Sequence, residues 1–152
     1  MEKEVLVSVN GMQFVKDDDN SIEFISPGTY YYKNDKHYIM YEDSYADGSE
    51  TVTNVLKISN DKAEPRVELI KKGGIGAHLI FERNKNNISC YETSYGSFVM
   101  GFQSKNIIIN HYQDEINVKI EYSLEMNYEH VSDNKIEMKI RSKSCMESLS
   151  EG

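Results

Sequence analysis

From Ile116 to Met126 apolar and polar residues alternate with a period of two. Ile116, Val118, Ile120, Tyr122, Leu124 and Met126 share one parity, and Glu115, Asn117, Lys119, Glu121, Ser123 and Glu125 share the other. After an eight-residue break the alternation resumes, with Ile136, Met138 and Ile140 set against Lys135, Glu137, Lys139 and Arg141. Successive side chains of a strand point to opposite faces. Each run therefore predicts a strand with one buried and one wetted face, and the pair predicts a hairpin.

The same pattern predicts strands along most of the chain. Val5, Val7 and Val9 share odd parity, whereas Met12 and Phe14 beyond Gly11 are even. A parity switch at a glycine predicts a bulge in a long, bent first strand. Asp17 to Asn20 reads as a solvated turn, because it lacks the spaced ligands of a calcium loop. A second strand begins at Ser21 to Ile25, is interrupted at Pro27-Gly28 and resumes at Thr29 to Tyr32; proline cannot donate to a ladder, so this is a bulge, a corner or an edge. Further strands are expected at Lys36 to Glu42, Thr51 to Ile58, Glu64 to Lys71, Ala77 to Glu82 and Ile88 to Thr93. Phe98, Met100 and Phe102 open a long strand that ends at Ile107-Ile108-Ile109, past a bulge near Ser104 to Asn106. Asn34-Asp35, Asp47-Gly48, Gly73 to Gly76 and Tyr95-Gly96 mark turns.

No segment sustains a helical period. The expected fold is all-β, an antiparallel meander closing into a barrel of about 8–10 strands, with Phe98, Ile120 and Met138 meeting at its centre. One domain is expected over residues 1–142, followed by a polar tail, 143–152, that is disordered.

Composition fits such a sheet. Hydrophobic residues make up 39% and charged residues 28%, and mean hydropathy is −0.60, as expected when half of every strand faces water. At 152 residues the chain can bury about two thirds of its unfolded surface, so its core needs no staples. A formal net charge of −8 repels phosphate backbones and argues against nucleic acid as a partner. Cys90 and Cys145 form no framework pattern and read as reduced thiols, with Cys90 expected as a small buried hydrophobe in its strand. Met1 to Glu4 is charged, and no apolar run approaches the ~18 residues of a spanning helix. The expectation is a cytoplasmic protein with no membrane partner.

The stretch Tyr91-Glu92-Thr93-Ser94-Tyr95-Gly96-Ser97-Phe98 resembles the YwiB-like proteins of Gram-positive bacteria. The family's aromatic-glycine turn matches Tyr95-Gly96, and its aromatic pair after a glycine matches Gly28-Thr29-Tyr30-Tyr31. Its strand ends match Tyr41-Glu42 and Phe81-Glu82, and its late Tyr-x-Leu matches Tyr122-Ser123-Leu124. The resemblance runs from about residue 4 to residue 142 and implies a calycin-like, lipocalin-type β-barrel of unknown function. The family's basic glycine turn matches Lys71-Lys72-Gly73, but an arginine is expected before the glycine; lysine keeps the charge and loses the planar fork for an anion.

The candidate chemistry is confined to binding. Gly73-Gly74-Ile75-Gly76 is followed by a strand and no lysine-serine pair, so it reads as a hairpin turn and not a phosphate loop. His37, His78, His111 and His130 show no metal spacing. His111 and Asp114 flank a turn with no nucleophile motif nearby. Neither a catalytic residue nor a metal or other cofactor is indicated. Residues 57–85 carry Lys57, Lys62, Arg66, Lys71, Lys72, Arg83 and Lys85 against Asp61, Glu64, Glu68 and Glu82, a net +3 (seven minus four) that reads as surface charge at strand ends. Asn54, Lys71 and Tyr122 are polar residues on buried parities, and Tyr91 is an aromatic candidate whose parity the pattern leaves open. A barrel of this size either fills its interior or holds one ligand. The first expectation is therefore a small ligand in the interior, bound by Asn54, Lys71, Tyr91 and Tyr122. The alternative is a protein-interaction module with a packed core, using the tyrosine-rich Tyr30 to Tyr45 stretch.

Overall fold

The computed structural model describes residues 1–11, 23–44, 51–59, 61, 63–73, 76–93 and 95–144. Ten strands follow in chain order: β1 (Glu4–Asn10), β2 (Glu23–Lys33), β3 (Lys36–Ser44), β4 (Thr51–Ser59), β5 (Arg66–Gly73), β6 (Ala77–Glu82), β7 (Asn86–Thr93), β8 (Gly96–His111), β9 (Glu115–Met126) and β10 (Glu129–Ser142). They form one antiparallel sheet in the order β6-β5-β4-β3-β2-β1-β10-β9-β8-β7. The first and last strands are fully laddered, from Val5 opposite Ser142 to Asn10 opposite Glu137. The weak point lies between consecutive strands: β6 and β7 meet through one isolated bridge, Gly76 to Glu92, among the described residues. The result is a nearly closed meander barrel.

Alternation decides what points inward. Val52, Asn54, Leu56 and Ile58 of β4 are all fully buried, as their shared parity predicts. So are Ile116, Val118, Ile120, Tyr122 and Leu124 of β9, each at most 1% exposed. At the centre the rings of Phe81, Phe102 and Tyr122 pack at 5.3, 5.5 and 5.7 Å between centroids. Such edge-to-face and tilted contacts add to area burial. Outward positions such as Lys119, Glu121, Lys135 and Lys139 are exposed. No helix among the described residues is long and apolar enough to cross a membrane.

The bulge expected near Ser104 to Asn106 is present as a shift in the β8–β9 register. It reverses the facing parity, so Met100, Phe102 and Ser104 point inward before it and Ile107 and Ile109 after it. Pro27 is a corner: β2 pairs with β1 at Leu6–Pro27, but its pairing with β3 begins only at Gly28.

Four expectations are corrected. The break between the last two strands is a tight turn at Asn127 and Tyr128, both at positive φ, and β10 starts at Glu129. Residues 129–135 hold one apolar side chain, Val131, half-buried against the core, and a second bulge interrupts them at His130/Ser132, so no alternation reveals them. β5 starts at Arg66, after Pro65, which cannot donate. Cys90 is exposed, because its neighbours Ser89 and Tyr91 take the inward parity. Phe98 is only half-buried against the core, and Phe102 occupies the central place beside Tyr122. The readings at residues 12–22, Asp47-Gly48, Gly74-Ile75 and residues 145–152 lie outside the described residues.

Candidate functional site

Three of the four residues picked from the sequence stand at one level of the barrel. Asn54 and Lys71 are cross-strand partners, and Lys71 Nζ donates to Asn54 Oδ1 at 2.9 Å. Lys71 also faces Ala77, and the Gly76–Glu92 bridge sets Tyr91 beside Ala77. Tyr41 continues this row as the partner of Asn54, and Gly28 as the partner of Tyr41. A Cβ on Gly28 would stand 2.9 Å from the Met40 carbonyl oxygen, so glycine lets β2 and β3 close here. Asn54 Nδ2 has no hydrogen-bond partner among the described residues.

Tyr122 is elsewhere. It packs on Phe81, which lies opposite Val67, four residues and about 13 Å along β5 from Lys71. Its hydroxyl and that of the adjacent Ser104 lack partners among the described residues. Burial raises the Tyr122 phenol well above its ordinary pKa.

Space for a ligand occurs at one end of the barrel, where no sequence motif pointed. A groove of about 220 Å³ is lined by Ser59, Asp61, Pro65, Arg83, Ile107, Ile108, Ile109 and His111. Its far wall is the second half of β8. The β7–β8 ladder ends at Asn86 opposite Gln103, because β7 begins at Asn86. The β6–β7 turn covers the next residue, with Asn84 N bonded to Ser104 O at 2.8 Å and Ser104 N to Lys85 O at 3.2 Å. Arg83 then reaches over, and its Nη2 donates to the Ile107 carbonyl at 2.7 Å.

Two histidines close the barrel beside the groove. The His111 ring lies 4.7 Å from that of His37. His37 Nδ1 and Tyr30 Oη are hydrogen-bonded at 2.8 Å, and Tyr32 packs on the same imidazole at 4.9 Å. Burial, then the neighbouring Tyr32, raises the Tyr30 phenol pKa. Asp61 serves the turn, its Oδ1 accepting from Ala63 N at 2.9 Å and Glu64 N at 3.3 Å. Among the described residues no three His, Cys, Asp or Glu side chains gather to hold a metal. The groove offers an apolar wall, a guanidinium and hydroxyl and imidazole edges. These are the means to hold a molecule, and no activated nucleophile stands with them among the described residues.

The basic stretch 57–85 resolves into separate structural roles. Lys57 sits over the Tyr38 ring at 5.7 Å. Arg66 Nε and His78 Nε2 approach the Glu68 carboxylate at 3.0 and 2.8 Å. Burial pulls the Glu68 pKa up, but the His78 hydrogen bond and the charges of Arg66, His78 and Lys57 outweigh it and leave it lowered. Of the described lysines and arginines of this stretch, Arg83 alone lines the groove. No local motif marks it, because its partner Ile107 lies 24 residues away.

The comparisons add the family. A profile described as a domain of unknown function, DUF1934, matches residues 7–138. The uncharacterized beta-barrel protein YwiB of Bacillus subtilis (strain 168) is 24% identical over 131 residues, 85% of this chain and 88% of that protein. The crystal structure of the ywiB protein from Bacillus subtilis superposes with a TM-score of 0.69 at 21% identity, covering 91% of this chain and 89% of that one. The likeness establishes the barrel and leaves its chemistry to the site.

Proposed function

The chain belongs to the DUF1934 family, and from that premise we propose that it is a binding protein that seats a small ligand in the groove at the barrel end. The observation that carries this reading is the groove itself, about 220 Å³ bounded by Ile107 to Ile109 on one side and Ser59 and Pro65 on the other, with Arg83 between. The middle of the barrel is the weaker place for a ligand, since Phe81, Phe102 and Tyr122 fill it with ring contacts. The Asn54–Lys71–Tyr91 level remains a polar interior suited to an ordered water on Asn54 Nδ2. A reducing compartment suits the exposed thiol of Cys90.

Native mass spectrometry of the protein purified from its own cells tests the reading. A mass excess that is released on denaturation is expected, and it should vanish when Ser59→Trp fills the groove of a still-folded barrel. A bare polypeptide mass, or an excess that survives Ser59→Trp, overturns it.

A second reading rests on the outer face of β2 and β3. Tyr31 and Tyr38 stack in parallel at 4.9 Å, and Tyr31 and Met40 on this face are 42% and 40% exposed. Exposed aromatics favour protein interfaces, and substitution of Tyr31 and Met40 by serine should then abolish a partner contact while the barrel stays folded.

A further inference from the structure

The outer face of β2 to β6 carries three laddered rows of side chains, apolar in the middle and charged on the flanks. Thr29, Met40, Val55, Ile70 and His78 are successive cross-strand partners, on the parity opposite to the buried Ile39, Leu56 and Leu69. On one side of this row lie Tyr31, Tyr38, Lys57, Glu68 and Ile80, again partner to partner. On the other side lie Glu42, Thr53 and Lys72. Tyr31 and Met40 are exposed, and Tyr38, Val55, Ile70 and Ile80 are half-buried. The middle of the face is therefore a continuous apolar patch rimmed by charge, the kind of surface that marks a contact site.

We propose that this face is a two-fold interface and that its partner is a second copy of the chain. This rests on the reading of the face as a protein interface and names the partner. Charge carries the choice. The chain has a formal net charge of −8, yet the three rows set Lys57 and Lys72 against Glu42 and Glu68, a balance of zero (two minus two) with His78 neutral. Two acidic copies can meet here without local repulsion, and a strongly charged partner of either sign finds nothing to select. The signs also complement themselves. A two-fold axis along the Met40–Val55–Ile70 row exchanges the two flanks, as an isologous contact requires. It lays the apolar row on its own copy, sets Lys72 of one copy over Glu68 of the other, and brings Glu42 of one copy against Tyr38 and Lys57 of the other. Lys57 Nζ already sits 5.7 Å from the centre of the Tyr38 ring, so the two offer a carboxylate one cationic place. Glu68 already holds Arg66 and His78, so the Glu42–Lys57 contact is the one that reports the arrangement. Within one copy Glu42 faces Thr53, four residues or about 14 Å along β4 from Lys57, too far to pair. Three rows on four strands span about 14 Å each way. The contact is thus small and the dimer weak, with a dissociation constant on the order of 10–100 μM.

The test is sedimentation equilibrium of the whole chain at concentrations on either side of that constant. The parent should show a monomer–dimer equilibrium. Glu42→Lys alone and Lys57→Glu alone each place like charges at both symmetry-related contacts and should weaken the dimer about tenfold. Mixed in equal amounts, with one of them carrying a fluorophore, the two variants should associate as tightly as the parent, since each meets on the other the sign it lost. Recovery in the mixture also shows that both variants are folded. A parent that stays monomeric overturns the proposal and leaves the face to a different partner. A dimer that neither variant weakens uses another surface and overturns it, as does a mixture that stays apart when each variant alone is weakened. The face fails as a protein interface altogether only if the Tyr31 and Met40 serine substitutions also change no association of the protein.

Discussion

The guanidinium of Arg83 donates to the backbone carbonyl of Ile107 at 2.7 Å, and that bond carries the hold of the β6–β7 turn on β8 beyond its backbone bonds to Ser104. The barrel is weakest at this place. β6 and β7 share a single bridge among the described residues, and the second half of β8 has lost β7 as a neighbour. Unpaired edges are a liability in sheet proteins. Here the edge is capped at Ile107 by a charged side chain, beside the groove.

Arg83→Met tests that tie. It keeps much of the stem and removes the donor, leaving the Ile107 carbonyl to water. A charge-assisted hydrogen bond is worth about 1.5–3 kcal/mol, and exposure of Arg83 places this one at the low end. A fall in Tm of about 2–5 °C is expected in a thermal melt, with faster amide exchange at Ser104. An unchanged melt and unchanged exchange would remove the tie from the account.

Glu68 sets a pH dependence whose sign can be worked out. Burial raises its pKa, but the His78 hydrogen bond and the nearby positive charges of Arg66, His78 and Lys57 win, so its folded value lies below its unfolded one. Its stabilisation is therefore fully present above the unfolded pKa and is lost as pH falls through the folded value. Urea melts from pH 6 down to pH 3 should show Glu68→Gln with a shallower loss of stability than the parent. Parallel curves would mean that the Glu68 cluster contributes nothing to acid sensitivity.

The hydroxyl of Tyr122 lies among Phe81 and Phe102 and has no hydrogen-bond partner among the described residues. A buried hydroxyl without a partner costs stability. Tyr122→Phe should thus be neutral or stabilising by up to about 1 kcal/mol, whereas Tyr122→Ala should cost about 3–5 kcal/mol by opening a cavity at the centre. A loss of more than about 1 kcal/mol in Tyr122→Phe, read from urea unfolding, would show that the hydroxyl has a partner such as an interior ligand.

The strands and most of the core were legible because alternation is a local property. Val52 to Ile58 and Ile116 to Leu124 announce their buried faces within a few residues. The β8 bulge was legible too, as the parity of Met100 and Phe102 fails to reach Ile107 and Ile109. The start of β10 was not, since Val131 is the one apolar residue of its first seven and a bulge beside it breaks the register. Asn54 and Lys71 could be paired from the fold pattern, because both lie inward on consecutive strands. The groove was beyond reach. It depends on where β7 begins relative to the end of β8, and on Arg83 meeting Ile107 across 24 positions. His37 and His111 likewise come from strands far apart in the chain, with no spacing to betray them.

The groove beside β8 is the feature on which the binding account stands, and amide hydrogen exchange along its far wall measures it directly. In protein purified from its own cells, Ile107 and Ile109, which line the groove, should exchange about tenfold more slowly than in the same protein stripped of ligand by unfolding and refolding. Equal exchange in the two preparations would mean that nothing sits against that wall, and the binding account would fall.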